Sequence, residues 1–167
     1  VIILDPPADI FASNARAIVI PTNCYGANGA GLAKMAAQRW PTWDRQYRAL
    51  CKGTPIEPGS VHFFDVQESN TTRVVIALPT KDHWSDPSRL PWVEAGIRAL
   101  ADALHESNLS VAIPALGCGL GELQWDDVRP LLESILGPVE GADIRVYAPH
   151  PGRGRVAGTA FGRKPSR

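Results

Sequence analysis

"RAIVIPTNCYGANGAGLAKMAAQRW", residues 16–40, decides how this chain is read. Residues 16–22 form an apolar run, too uniform for a strand with one face in water. Residues 31–40 place their apolar positions at helical spacing. Between the two lie Asn23, Gly26, Asn28, Gly29 and then Gly31, with no charged side chain. A plain surface turn needs one glycine. Three in this span imply a backbone that bends hard and lets another group come close.

The same alternation continues along the chain. Residues 1–4 read as a short strand, 42–52 as a helix with Thr42 as N-cap after Pro41 stops the preceding one, and 60–66 and 73–80 as strands joined by the turn "QESNTT". Residues 90–107 read as a helix with Pro91 in its first turn, 110–116 as a buried strand, 124–137 as a helix ending at Gly137, and 142–149 as a last strand. Strands alternate with helices apart from one adjacent pair, and several strands are apolar throughout. That pattern predicts an α/β fold, a three-layer α/β/α sandwich around a mixed sheet.

Composition narrows the function. The chain has 167 residues with 44% apolar, enough for one domain with a sizeable core. No apolar run is long enough to span a membrane and no signal peptide is read at the start. Cys24, Cys51 and Cys118 form no CxxC pair, and the four histidines do not stand at ligand spacing with them. A reducing cytoplasm without a zinc site is therefore expected, with no membrane partner. Residues 150–167 hold five of the 17 basic residues and no acid, leaving 12 basic against 17 acidic residues before them. This Gly/Pro-rich segment reads as a flexible tail following a domain of residues 1–149. It is either a solubilising terminus or a basic arm that touches phosphates.

Three strand ends carry unusual loops. "NCYGANGAG" follows residues 16–22 and "GCGLGELQW" follows residues 110–116. Each is glycine-rich and runs into a helix, so bare backbone N–H groups can cradle an anion. Two such cradles suit a diphosphate. Neither holds the GKS or GKT of a P-loop. The third loop, "PTKDHWSDPSRL" at residues 79–90, sets Lys81 just past a buried strand. Lys81 is a solvated charge, a cation near phosphate or a nucleophilic amine. His83 and Trp84 read as residues that pack this loop, and Trp40, Trp43 and Trp125 as core or helix-packing residues. Asn23 either holds the glycine loop or hydrogen-bonds a ribose hydroxyl.

Taken together, "DIF", "AIVIPTNCYGANGAGLA", "PTKDHW", "IPALGCGLGELQW" and "VYAP" resemble the macrodomain family over nearly all of residues 1–149. The nearer likeness is to the branch holding the DarG antitoxin macrodomain and the terminal ADP-ribose protein glycohydrolase. The resemblance implies a macrodomain fold and ADP-ribose, or an ADP-ribosylated substrate, as ligand, with no cofactor. It implies Asp9 and Ile10 at the adenine. It implies Gly29, Ala30, Gly31 and Leu32 on one side of the diphosphate and Leu116, Gly117, Cys118, Gly119, Leu120 and Gly121 on the other. Asn23 would orient the distal ribose and Lys81 would be the catalytic lysine. In the DarG-like branch that lysine removes ADP-ribose from thymine in DNA, which implies a DNA substrate and a toxin partner, a DNA ADP-ribosyltransferase.

Three positions depart from the pattern. Ala30 stands where DarG-like loops often have lysine, Gly121 where the protein-directed glycohydrolase has aspartate, and Ala8 where the family has glycine. The expected activity is thus a DNA-directed, antitoxin-like glycohydrolase. Its rivals are a non-catalytic ADP-ribose reader and a hydrolase of ADP-ribosylated protein side chains or O-acyl-ADP-ribose; guanine-linked adducts and RNA ends are further candidate substrates. Lys34, Arg39, Arg89 or the basic tail would supply DNA contacts, because the domain itself is acidic.

Overall fold

The computed structural model describes residues 1–4 and 8–151. The elements in chain order are β1 (Ile2–Leu4), β2 (Ala17–Asn23), α1 (Gly31–Arg39), α2 (Pro41–Gly53), β3 (His62–Glu68), β4 (Thr71–Lys81), α3 (Leu90–Leu104), β5 (Ser110–Pro114), α4 (Trp125–Leu136) and β6 (Asp143–Tyr147), with a 3-10 turn at Ile10–Ala12. The six strands form one sheet in the order β1-β6-β5-β2-β4-β3. All neighbours run parallel except β3 and β4, so the sheet is mixed as expected.

The apolar runs are explained by burial on both faces. Along β2, Ala17 and Val19 pack into a core shared with α3 and α4, whereas Ile18 and Ile20 pack into a second core shared with α1 and α2. The same alternation splits Ile76 and Leu78 of β4 from Val75 and Ala77, and Val111 and Ile113 of β5 from Ala112. Successive side chains of a strand point to opposite faces, so a strand between two helical layers needs no polar side. The result is the three-layer α/β/α sandwich. Among the described residues no helix is long and apolar enough to cross a membrane.

Two local expectations are corrected. Pro41 does not only end the first helix; it occupies the first turn of α2, and Thr42 lies inside that helix rather than capping it. Proline is tolerated there because the first-turn N–H groups have no intrahelical acceptor. Trp40 closes α1 and opens α2, donating its N–H to the Ala36 carbonyl (2.8 Å), with its ring buried 5.7 Å from that of Phe11. The turn "QESNTT" is also shorter than read. Glu68 pairs with Thr71 and Gln67 with Thr72, leaving Ser69 and Asn70 as a two-residue hairpin turn with Ser69 at φ 54°. The basic tail from residue 152 onward lies outside the described residues.

Candidate functional site

The C-terminal ends of β2 and β4 bring Asn23 and Lys81 side by side. The two strands pair in register from Ala17 opposite Val74 to Thr22 opposite Pro79, and then Asn23 stands opposite Lys81. Thr80 is therefore the extra residue of a bulge, a device that re-aims the side chain after it. Lys81 is the last residue of β4 rather than a loop residue beyond it.

Asn23 is built into the first glycine loop. Its Oδ1 accepts the N–H groups of Tyr25 (3.0 Å) and Ala27 (3.2 Å), and its Nδ2 donates to the Ala27 carbonyl (2.8 Å). An amide nitrogen has two hydrogens, so this bond uses one of the two. The Asn23 carbonyl accepts the Tyr47 hydroxyl (2.8 Å) from α2, and Thr22 Oγ1 lies 2.9 Å from that hydroxyl. Tyr47 has one proton to give, so Thr22 donates to it and the two bonds form a chain. Burial pushes the Tyr47 phenol up from its usual pKa, and the Thr22 bond only partly opposes this. The chain pins the backbone at the bulge. Tyr47→Phe leaves the Asn23 carbonyl and the Thr22 hydroxyl without this partner, a loss of about 1–3 kcal/mol. Thermal denaturation should therefore show a Tm lower by roughly 3–10 °C. An unchanged Tm would mean that the hydroxyl chain does not hold the bulge.

The two glycine loops and the lysine meet at Leu120. Lys81 Nζ donates to the Leu120 carbonyl at 3.1 Å. A Cβ on Gly31, at φ +58°, would lie 3.3 Å from Leu120 Cδ1, so glycine there permits both the turn and the close approach. The Leu120 side chain is 63% exposed across this junction. On one side, α1 begins at Gly31 without a side-chain cap on Ala30 and without an acid in its first turn. Its first amides thus have no intrahelical acceptor and are available to an anion. On the other side, the second loop is closed by Cys118 N–H to the Ala115 carbonyl (3.1 Å) and Leu123 N–H to the Gly117 carbonyl (2.9 Å). Gly29, Ala30, Gly119 and Leu120 are exposed, Gly117 and Gly121 are buried, and the side chains of Leu32, Leu116 and Cys118 pack into or against the cores.

The far end lies by the 3-10 turn. Asp9 caps it by accepting the Phe11 N–H at 2.9 Å, and the Ile10 side chain is buried in the core. An open depression here is lined by Asp9, Phe11, Met35, Gln38 and Arg39. Arg39 is committed to Glu68 and lies over the Phe11 and Trp40 rings. Arg89 lies over the Trp92 ring. Of the three basic residues expected near a DNA strand, two thus already have partners. Burial, with Asp82 next, pushes the Cys24 thiol up to about 12. Burial, with Asp127, does the same to Cys118, also to about 12. Both stay protonated at neutral pH and are poor nucleophiles.

His83 packs within its loop as read from sequence, bonded to Ser85, whereas Trp84 does not pack as expected. Trp84 is 58% exposed, and His83 lies between it (ring centroids 4.9 Å) and Tyr25 (5.0 Å). Trp40 and Trp43 are buried as expected, and Trp125 packs against the core. Sequence reading also missed Tyr47, Asn28, which ties the first loop to Asp44 (2.8 Å), and Ser88, whose N–H donates to the Gly121 carbonyl (3.0 Å). Tyr47 repeats the apolar spacing of α2 and gives no separate signal. Tyr25 could have been found, since an aromatic residue inside a glycine loop has little to pack against.

The chain belongs to the Macro domain family, whose model matches residues 19–132. It is 32% identical over 151 residues to a DNA ADP-ribosyl glycohydrolase of Mycobacterium tuberculosis, covering 90% of this chain and 43% of that protein. The chain thus spans about two fifths of the length of the curated relatives it matches first. Its fold is similar to the macrodomain of Mycobacterium tuberculosis DarG, with a TM-score of 0.82 at 32% identity, covering 89% of this chain and 98% of that one. It is also similar to Thermosipho africanus DarTG in complex with ADP-ribose, with a TM-score of 0.77 at 28% identity, covering 85% of this chain and 40% of that one.

Proposed function

We propose that this macrodomain is an ADP-ribosyl glycohydrolase that cleaves the N-glycosidic bond between ADP-ribose and thymine in single-stranded DNA. The observation that carries this reading is the junction at Leu120, where Lys81 Nζ, the second glycine loop and Gly31 of the first come together. A protein that only reads ADP-ribose has no need of a lysine there. The name of the Mycobacterium tuberculosis relative and the ADP-ribose complex of the Thermosipho africanus protein support the choice of ligand and bond.

On this reading the diphosphate lies between residues 29–32 and 116–121, held by backbone amides, and the adenine lies by Asp9 and Ile10. The remaining N–H of Asn23 donates to a hydroxyl of the distal ribose. Anchoring at both ends fixes the sugar, so binding energy is converted into positioning of its anomeric carbon. Lys81 acts at that carbon in one of two ways. As a nucleophile, its neutral amine forms a bond to the carbon while the bond to the base nitrogen breaks, the base nitrogen ends protonated, and water later releases the sugar. As a cation, it stabilises charge while water attacks directly. The catalytic unit is residues 1–149, working in the cytoplasm against a DNA ADP-ribosyltransferase toxin.

The test is a gel assay with a single-stranded oligonucleotide carrying ADP-ribose on thymine. Restoration of the unmodified band is the expected result. Persistence of the adduct, with ADP-ribose binding intact by calorimetry, would overturn the reading in favour of a reader or of a hydrolase acting on ADP-ribosylated glutamate peptides.

A further inference from the structure

We infer that Tyr25, His83 and Trp84 form a stacking platform for unpaired nucleobases that flank the modified nucleotide, so that the strand is held by its bases. This rests on the glycohydrolase reading and adds how the polymer, rather than the ADP-ribose, is recognised.

Position is the first argument. Tyr25 stands two residues beyond Asn23 and His83 two beyond Lys81, and the Cys24 N–H donates to the Asp82 carbonyl (3.0 Å) between them. The aromatic rings therefore begin one step past the Asn23–Lys81 pair, on the rim where the base linked to the sugar would emerge. Exposure is the second. Tyr25 and Trp84 are each 58% exposed, and with Leu120 they place three of the protein's exposed large apolar side chains at this one end. An aromatic cluster left open beside a cleft marks a recognition surface more often than a packing fault.

Rigidity is the third argument. The Ser85 N–H can only donate, so His83 Nδ1 accepts it (3.2 Å) and the ring proton sits on Nε2; Ser85 Oγ lies 2.7 Å from the same nitrogen. His83 is thus fixed by its own turn, edge-to-face with Tyr25 (73°) and tilted against Trp84 (35°), leaving the outer rings open.

Charge decides the occupant. Asp82 and Asp86 flank the rings, and residues before the tail hold 17 acidic against 12 basic side chains. Arg48, whose backbone lies against Gly26 beside Tyr25, is paired with Asp44, and Arg89 lies over the Trp92 ring. Tracking phosphates is poorly served by such a surface, whereas base stacking is indifferent to it. A duplex, whose bases are already stacked, would not fit.

The experiment compares kcat/KM on two substrates, thymidine carrying ADP-ribose and a short single-stranded oligonucleotide with the modified thymine at its centre. Wild type should prefer the oligonucleotide. In Trp84→Ala the oligonucleotide-to-nucleoside ratio should fall by about 5- to 150-fold, the range for one lost base stack, and Trp84→Phe should retain most of it. Tryptophan emission should be quenched by an unmodified single strand in wild type and not in Trp84→Phe. An unchanged ratio in Trp84→Ala, with both substrates cleaved, would overturn the platform and leave the glycohydrolase reading standing. Cleavage of neither substrate would overturn that reading, and the quenching alone would then decide the platform, its absence sinking it. A wild-type dimer that becomes monomeric in Trp84→Ala would assign the rings to a second copy of this chain and overturn the proposal.

Discussion

Replacing Lys81 with alanine should lower kcat on the thymine adduct by roughly 10³-fold or more, about 4 kcal/mol of transition-state stabilisation. Affinity for ADP-ribose should stay within about threefold, because backbone amides rather than this side chain form the cradle. The two numbers must be measured together. Lys81 also ties β4 to the Leu120 carbonyl, so its removal could loosen the second loop instead of removing a reacting group. A kcat loss with ADP-ribose binding preserved by calorimetry places the lysine in the chemistry. A matched loss of affinity and rate would make it a strut for the loop, and near-wild-type turnover would remove it from the mechanism. Lys81→Arg separates the two catalytic roles. Arginine keeps the charge but is not deprotonated in proteins, so it can support a cationic role and not nucleophilic attack. Borohydride present during turnover should add the mass of a reduced ADP-ribosyl group to Lys81 only if the amine bonds to the anomeric carbon.

The layers were legible in the sequence because strands covered on both faces leave uninterrupted apolar runs, as β2, β4 and β5 do. The glycine loops were legible for the same local reason, since a cluster of glycines between strand and helix has few other uses. What could not be read depends on groups far apart in the chain. The bulge at Thr80, which moves Lys81 from a loop into register with Asn23, arises from pairing between β2 and β4. Trp84 was expected to pack because large aromatic residues usually do, and only the tertiary structure leaves its ring open. Tyr47 repeats an ordinary amphipathic pattern, and its hydroxyl acquires meaning only under the Asn23 carbonyl. Nothing local marks Ser88, whose importance comes from the turn of the second loop folded over it.

That turn makes Gly121→Ala the most disruptive small change expected in the site. A Cβ at this position would lie 2.2 Å from Ser88 Oγ, 2.5 Å from the Gly117 carbonyl oxygen and 2.8 Å from Ser88 Cβ. These neighbours have little room to yield. Ser88 is buried, gives its N–H to the Gly121 carbonyl (3.0 Å) and its hydroxyl to Thr80 Oγ1 (3.0 Å). Thr80 is the bulge residue that sets Lys81, so a methyl group at 121 pushes on the lysine as well as on its own loop. Overpacking of this kind costs about 1–3 kcal/mol, which predicts a Tm lower by roughly 3–10 °C. Retreat of the loop from Gly31 should weaken ADP-ribose at least about tenfold, the equivalent of about 1.4 kcal/mol. Ser88→Gly removes two of the three close contacts but not the Gly117 carbonyl, so the double variant should recover only part of the loss, with clear non-additivity. The same contacts bear on the aspartate of the protein-directed branch. Its Cβ meets the same atoms, so Gly121→Asp alone should break the loop rather than install that chemistry. A Gly121→Ala protein with wild-type Tm and ADP-ribose affinity would show that the loop relaxes freely, and then the steric reason for glycine at this position would fall.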